Sequence, residues 1–281
     1  MKNLLVATDF SDTSMNAISY ASHVSGKTKS NITLLHAYRP RLSEGITDQA
    51  SEKAAKEAAM QQLKEVKSKV LKHNGELINS GIKVNTSFRY GLAADEILST
   101  ASGTEDAVIV MGVDESNEAL KNIFGSVSVS VLDQANKPIL ALPPDAQFKE
   151  IKRIGYCTED LNVDKTTICE LSGIIDSFDS EIHLIHVNEK NDEFNEQAVL
   201  KMWQDNYPGH KIILNIIQHN DRLAAVNDYC ENNNIDLLSM TRTNHGFFPN
   251  LFHKSFTKQM LINTHIPLFI MSEKESECKA A

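Results

Sequence analysis

The chain has 281 residues, a length that suggests about two domains at ~100–200 residues each, and 41% of them are hydrophobic, enough for two buried cores. A formal net charge of −9 argues against nucleic acid as the main partner, because neutralising phosphates requires a basic face. No apolar run approaches the ~18 residues of a membrane-spanning helix. The opening MKNLLVATDF reads as a first strand and not as a signal peptide. Cys157, Cys169, Cys230 and Cys278 all fall in the second half without CxxC spacing, and read as reduced thiols of a cytoplasmic protein.

Residues 3–8 (NLLVAT) are apolar throughout, the pattern of a strand buried on both faces, and Asp9 ends the run. Ser11 and Asp12 offer an N-cap to a helix carrying Met15, Ile18, Ala21 and Val24 on one side, with Gly26 as its expected stop. Residues 31–38 (NITLLHAY) form the next strand. After a loop at 40–45, residues 46–73 are rich in Ala, Glu, Lys and Gln and predict a long helix, with Ala59, Leu63, Val66 and Val70 at helical spacing. Asn74-Gly75 closes it. Residues 83–90 predict a more exposed strand and 91–101 (GLAADEILSTA) a short helix.

Residues 107–111 (AVIVM) are again a buried strand, followed at once by Gly112. A polar loop runs to Gly125-Ser126, a helix starts there, and residues 138–142 form another short strand. Strand, glycine-bounded loop, helix and strand bring backbone N–H groups and a helix N-terminus to the carboxyl edge of a parallel sheet. That is a ready anion site, usually for phosphate.

The order then repeats. Residues 153–158 (RIGYCT) are a strand, 161–178 a helix, and 181–188 (EIHLIHVN) match 31–38 down to the histidines, His36 and His186. Residues 192–207 predict a polar helix, 211–218 a strand, 221–232 a helix, 235–240 a strand, 254–263 a helix and 267–271 a last strand. A repeat of about 140 residues with strand–helix alternation means two parallel-sheet α/β domains. The expected division is residues 1–145 and 150–272, with a loose charged tail at 273–281.

Five segments now stand in one order: VATDFS from Val6, LLHAY from Leu34, GLAADEIL from Gly91, VMG from Val110 and GSVSVSVL from Gly125. Together they resemble the universal stress protein family, in a tandem form that covers nearly the whole chain. The resemblance implies two Rossmann-like (adenine nucleotide alpha hydrolase-like) domains, each a five-stranded parallel sheet of order 3-2-1-4-5 flanked by helices. It also implies an internal pairing of the two domains through their last strands.

Nucleotide-binding members of that family carry a loop G-x-x-G, nine residues, then G-S or G-T. Gly112 matches the first glycine and Gly125-Ser126 the last pair, but Glu115 stands where the middle glycine belongs. A glutamate brings bulk and charge against phosphate, with Asp114 and Glu118 adding acid and Lys121 opposing it. One like-charge pair at ~5 Å and an effective dielectric of ~20 costs roughly 3 kcal/mol, less if solvated. By resemblance, Asp9 would bond the ribose or adenine side, Ala37 would give backbone contact to the base, and Gly112, Gly125, Ser126, Val127 and Ser128 would frame the phosphates. The implied ligand is ATP or another adenine nucleotide in the first domain, with Mg²⁺ only if ATP binds. The plain alternative is that Asp9 and Ser126 cap helices.

The second domain departs further. Glu159 stands for Asp9, Thr241 for the first glycine, Asn244 for the second, and His253, Lys254 and Ser255 replace the G-S step. These three residues are a candidate anion site or simply a solvated helix start. The apolar loop 246–252 favours packing under the helix, with lining a pocket or meeting the partner domain as the alternatives. His183 and His186, three apart on a strand, point to opposite faces and cannot share a metal without distortion. Cys157 reads as a core thiol, and His36 and His186 as structural partners within the repeat.

Three function classes remain. The first is a stress-response protein that binds a nucleotide or small anion in its first domain and acts through protein partners, with or without homodimerisation. The second is a slow Mg-dependent ATPase or phosphotransferase, with Asp114 or Glu115 holding the metal. The third is a ligand-free or apolar-ligand scaffold. No residue set stands poised for bond cleavage, which favours the first and third.

Overall fold

The computed structural model describes residues 1–39, 49–113, 126–158, 165–188, 195–242 and 252–272. The chain divides into two compact units, Met1–Lys137 and Pro138–Ala281.

The first unit contains β1 (Asn3–Ala7), α1 (Asp12–Thr28), β2 (Asn31–Tyr38), α2 (Gln49–His73), α3 (Gly75–Asn79), β3 (Val84–Tyr90), α4 (Ala93–Ser102), β4 (Ala107–Gly112) and α5 (Ser126–Gln134). Its sheet is parallel in the order β3-β2-β1-β4, with Asn3 opposite Asn31 and Ala107, and Ile32 opposite Val84. Leu4, Val6, Leu34, Ile109 and Val110 are fully buried, as the unbroken apolar runs require. β3 is mostly exposed along its length, which explains its weak alternation.

Two local readings shift. α1 does not stop at Gly26 but runs to Thr28, with Lys29 taking the left-handed cap at φ 56. Side chains hold that end: Thr28 Oγ1 donates to the Val24 carbonyl at 2.9 Å, and Ser25 Oγ donates to the Ser30 carbonyl at 2.5 Å. Asn74-Gly75 closes α2 but opens α3, whose Leu77 is buried. Among the described side chains of α2, Leu63, Val66 and Val70 are the buried ones, so these pack through its C-terminal half.

The second unit contains β5 (Ile139–Leu142), β6 (Arg153–Cys157), α6 (Lys165–Phe178), β7 (Glu181–Val187), α7 (Glu196–Asn206), β8 (Ile212–Ile217), α8 (Arg222–Asn232), β9 (Leu237–Arg242), α9 (Phe252–Asn263) and β10 (Leu268–Ser272). Here the parallel order β8-β7-β6-β9-β10 is the 3-2-1-4-5 arrangement. β5, the last strand of the first repeat, lies antiparallel on β10, the last of the second, with Phe269 opposite Leu140. Trp203 on α7 is fully buried between Tyr156 and Tyr207, at 5.3 and 5.6 Å between ring centroids.

The two units share a register. Asn3 pairs with Asn31 as Arg153 pairs with Glu181. Leu4 faces Val108 as Ile154 faces Leu237, so Thr241 stands at the place of Gly112.

Candidate functional site

In the order 3-2-1-4 the chain leaves β1 in one direction and β4 in the other, so the carboxyl ends of these two strands flank a crevice. A hollow of about 250 Å³ lies there, lined on its polar side by Thr8, Asp9, Thr13 and Ser128, with Ala37 and Gly112 at its wall. Leu35, Ala93, Ile97, Met111 and Val127 supply apolar surface. Of the residues that the sequence nominates, Asp9, Ala37, Gly112, Val127 and Ser128 are thus brought to one place. Ser126 opens α5 but its side chain lies outside the described residues, as does Gly125 altogether.

Asp9 does not cap α1 directly. Ser11 is the N-cap, accepting from Ser14 N at 3.3 Å, and Asp9 holds Ser11: its Oδ1 accepts from Ser11 N at 3.0 Å and from Ser11 Oγ at 2.6 Å. Packing around Asp9 pushes its carboxyl up, but the hydrogen bonds from Ser11 and Ser14 outweigh this and hold it below the usual carboxylate range. Asp9 is therefore an ionised acceptor at neutral pH.

The turn behind it is tied in two ways. Thr8 Oγ1 accepts from Phe10 N at 3.0 Å and lies 3.0 Å from Ser14 Oγ. His36 Nδ1 donates to the Thr8 carbonyl at 2.8 Å, and its ring stacks on Phe10 with centroids 4.4 Å apart. Phe10 sits at φ 67. That conformation costs an L-residue roughly 1–2 kcal/mol, comparable to the ~0.5–1.5 kcal/mol of an aromatic stack.

Gly112 has a structural reason as well as a site reason. A Cβ there would lie 2.6 Å from Thr13 Cγ2 and 2.8 Å from the Thr13 carbonyl. The bare backbone lets the first turn of α1 approach the end of β4, and so closes one wall of the hollow.

The second unit fills the same places differently. Thr241 replaces Gly112 in register, and its Oγ1 lies 3.2 Å from the Tyr156 phenol oxygen. Arg222, the first residue of α8 as Ala93 is of α4, lays its guanidinium 5.5 Å from the Phe256 ring centroid. His253 and Lys254 fall in the first turn of α9 with Ser255, but their side chains lie outside the described residues. Glu159 and Asn244 lie outside them too. His186 repeats the role of His36, with Nδ1 3.1 Å from the Thr158 carbonyl. His183 is buried on β7 between Tyr229 Oη at 2.7 Å and Glu181 Oε1 at 2.9 Å.

The sequence reading missed Thr8, Thr13, Ala93 and Ile97 as lining residues. Ala93 and Ile97 lie within the segment GLAADEIL, four apart on one helix face, so the signal was there as amphipathic spacing. Nothing in the sequence marks Thr13 as a wall.

The model of the universal stress protein family matches residues 1–143. The universal stress protein Slr1230 of Synechocystis is 24% identical over 291 residues, covering 95% of this chain and 99% of that protein. The universal stress protein MJ0577 of Methanocaldococcus jannaschii is 26% identical over 152 residues, covering 50% of this chain and 94% of that protein. The crystal structure of a universal stress protein from Archaeoglobus fulgidus has the same fold, with a TM-score of 0.74 at 18% identity over 96% of this chain and 98% of that one.

Proposed function

Because this chain belongs to the universal stress protein family, we propose that its first unit binds an adenine nucleotide or a small anion and that the protein acts through partners in the cytoplasm. One observation carries the reading: Asp9, Ala37, Gly112, Val127 and Ser128, far apart in sequence, line a single hollow at the carboxyl edge of the sheet. Small residues and an apolar wall suit a base, and the ionised Asp9 suits a ribose hydroxyl or an exocyclic amine. A volume of about 250 Å³ lies just below the ~300–1,000 Å³ of ordinary ligand pockets, so the hollow takes the nucleoside and leaves the phosphates at its rim, near the start of α5. Mg²⁺ enters only with a triphosphate.

The second unit does not share this role in our reading. Thr241 puts bulk where the first unit has Gly112, and Arg222 opens α8 where Ala93 opens α4, with its guanidinium 5.5 Å from the Phe256 ring centroid. Among the described residues no helix is long and apolar enough to cross a membrane.

The test is calorimetric titration of the full chain with ATP in Mg²⁺, with ADP and with inorganic phosphate. We expect about one ATP per chain. Asp9→Asn should weaken binding about ten- to a hundredfold, the worth of a hydrogen bond to a charged group. A chain that takes up no nucleotide, or an Asp9→Asn variant that binds as the parent does, overturns the reading. A parallel turnover assay tests the ATPase alternative; product above the buffer background would establish it.

A further inference from the structure

Phe10 is a bulky aromatic residue in the left-handed region, at φ 67, between Asp9 on the hollow and Ser11 at the N-cap of α1. Side chains with a Cβ rarely adopt that conformation. Its consequence is local and specific: the reversal at Phe10 brings Ser11 N and Ser11 Oγ back onto Asp9 Oδ1, at 3.0 and 2.6 Å. The reversal is held from both sides. Phe10 N donates to Thr8 Oγ1 at 3.0 Å, and the ring lies on His36 with planes 27° apart. His36 is in turn anchored to the Thr8 carbonyl at 2.8 Å, so clamp and turn share one base.

We propose that Phe10 is a positioning residue: its left-handed backbone, clamped by the His36 ring, fixes the Asp9 carboxylate at the mouth of the hollow. The consequence for ligand affinity rests on the nucleotide-binding reading above, whereas the placing of Asp9 does not. The second repeat offers an internal contrast. Its His186 keeps the bond to the strand end, at 3.1 Å from the Thr158 carbonyl. Its sequence carries Asp160 where the first repeat has Phe10, so it has no ring to clamp. The complete device accompanies the unit that has kept the small residues of the hollow.

The experiment compares Phe10→Ala, Phe10→Gly and His36→Ala by carbon-detected NMR titration of the Asp9 carboxyl, and by ATP titration. In the parent, Asp9 titrates below the usual carboxylate range. Alanine resists positive φ and has no ring, so Phe10→Ala should release Ser11 and move the Asp9 titration up, with ATP binding weakened about tenfold. Glycine adopts positive φ freely, so Phe10→Gly should keep Asp9 closer to its parental titration than Phe10→Ala does. A ring that served packing alone would give the reverse order, because glycine removes more of it. His36→Ala leaves residue 10 intact and should shift Asp9 in the same direction as Phe10→Ala; it stands in should that variant fail to fold. An Asp9 titration unmoved by either Phe10→Ala or His36→Ala, or moved at least as far by glycine as by alanine, overturns the proposal. A parent chain that binds no ATP overturns the preceding reading instead, and the Asp9 titrations still decide this one.

Discussion

Thr13 and Gly112 meet through bare backbone: a Cβ on the glycine would sit 2.8 Å from the Thr13 carbonyl oxygen. The threonine side chain can rotate away, but the carbonyl belongs to the first turn of α1 and moves only with the helix. Gly112→Ala should therefore destabilise the protein by about 1–3 kcal/mol, the usual range for overpacking a filled site. The same shift should disturb the Ser11–Asp9 turn and weaken ATP binding. Urea denaturation and calorimetry check both effects; an alanine variant with parental stability would show that α1 is free to retreat.

Glu181 gives a pH-dependent prediction in the second unit. Burial pushes its carboxyl up, but hydrogen bonds from His183 and Lys211 outweigh burial and bring it down to about 2. Arg153 Nε adds a contact at 3.0 Å. A folded-state value below the unfolded one means that the stabilisation is present above the ordinary range near ~4.3 and is lost as pH falls from there toward 2. Lys211 is well exposed, so screening leaves on the order of 1–2 kcal/mol. Glu181→Gln should cost about that much at pH 7 and progressively less below pH ~4. Urea midpoints of parent and variant across that range should converge; parallel curves would contradict the account.

The cysteines that the structure describes with their side chains are predicted to be inert in the folded protein. Burial raises the Cys157 thiol to about 12 against a smaller opposing effect of Arg222, and raises Cys230 to about 12 with Cys157 and Glu231 adding to it. At neutral pH almost no thiolate is present at either position. Iodoacetamide labelling followed by mass spectrometry should modify neither residue in native buffer and both in urea. Rapid native labelling of Cys157 would mean that β6 opens locally.

The acidic loop supplies a prediction that rests on the sequence. Glu115 lies outside the described residues, and its charge follows from its identity alone. Relieving one like-charge contact of roughly 3 kcal/mol, or less when solvated, corresponds to about ten- to a hundredfold in affinity. Glu115→Gly should tighten ATP binding by that factor and affect adenosine little, because the repulsion acts on phosphate. Equal effects on both ligands would rule out the electrostatic explanation.

The duplicated α/β order, the strands and the pairing of histidines across the repeat were legible because they are properties of neighbours along the chain. Buried parallel strands announce themselves as unbroken apolar runs such as 3–8 and 107–111, and helices by their spacing. The family motifs likewise nominated Asp9, Ala37, Gly112, Val127 and Ser128, which the fold does bring to one hollow. The end of α1 was not legible, because Ser25 and Thr28 hold it through side-chain bonds that periodicity does not encode.

The chain by itself thus determined which segments are strands and helices, their order, and which small residues were candidates for a ligand. Tertiary structure alone decided that Thr13 crowds any Cβ at 112, that the Phe10 ring stacks on His36, and that Arg222 lies over Phe256 in the other unit. Each of these is a contact between residues brought together by sheet register and helix packing. Such contacts depend on distance in space at the scale of a single atom, and local sequence pattern carries no measure of that distance.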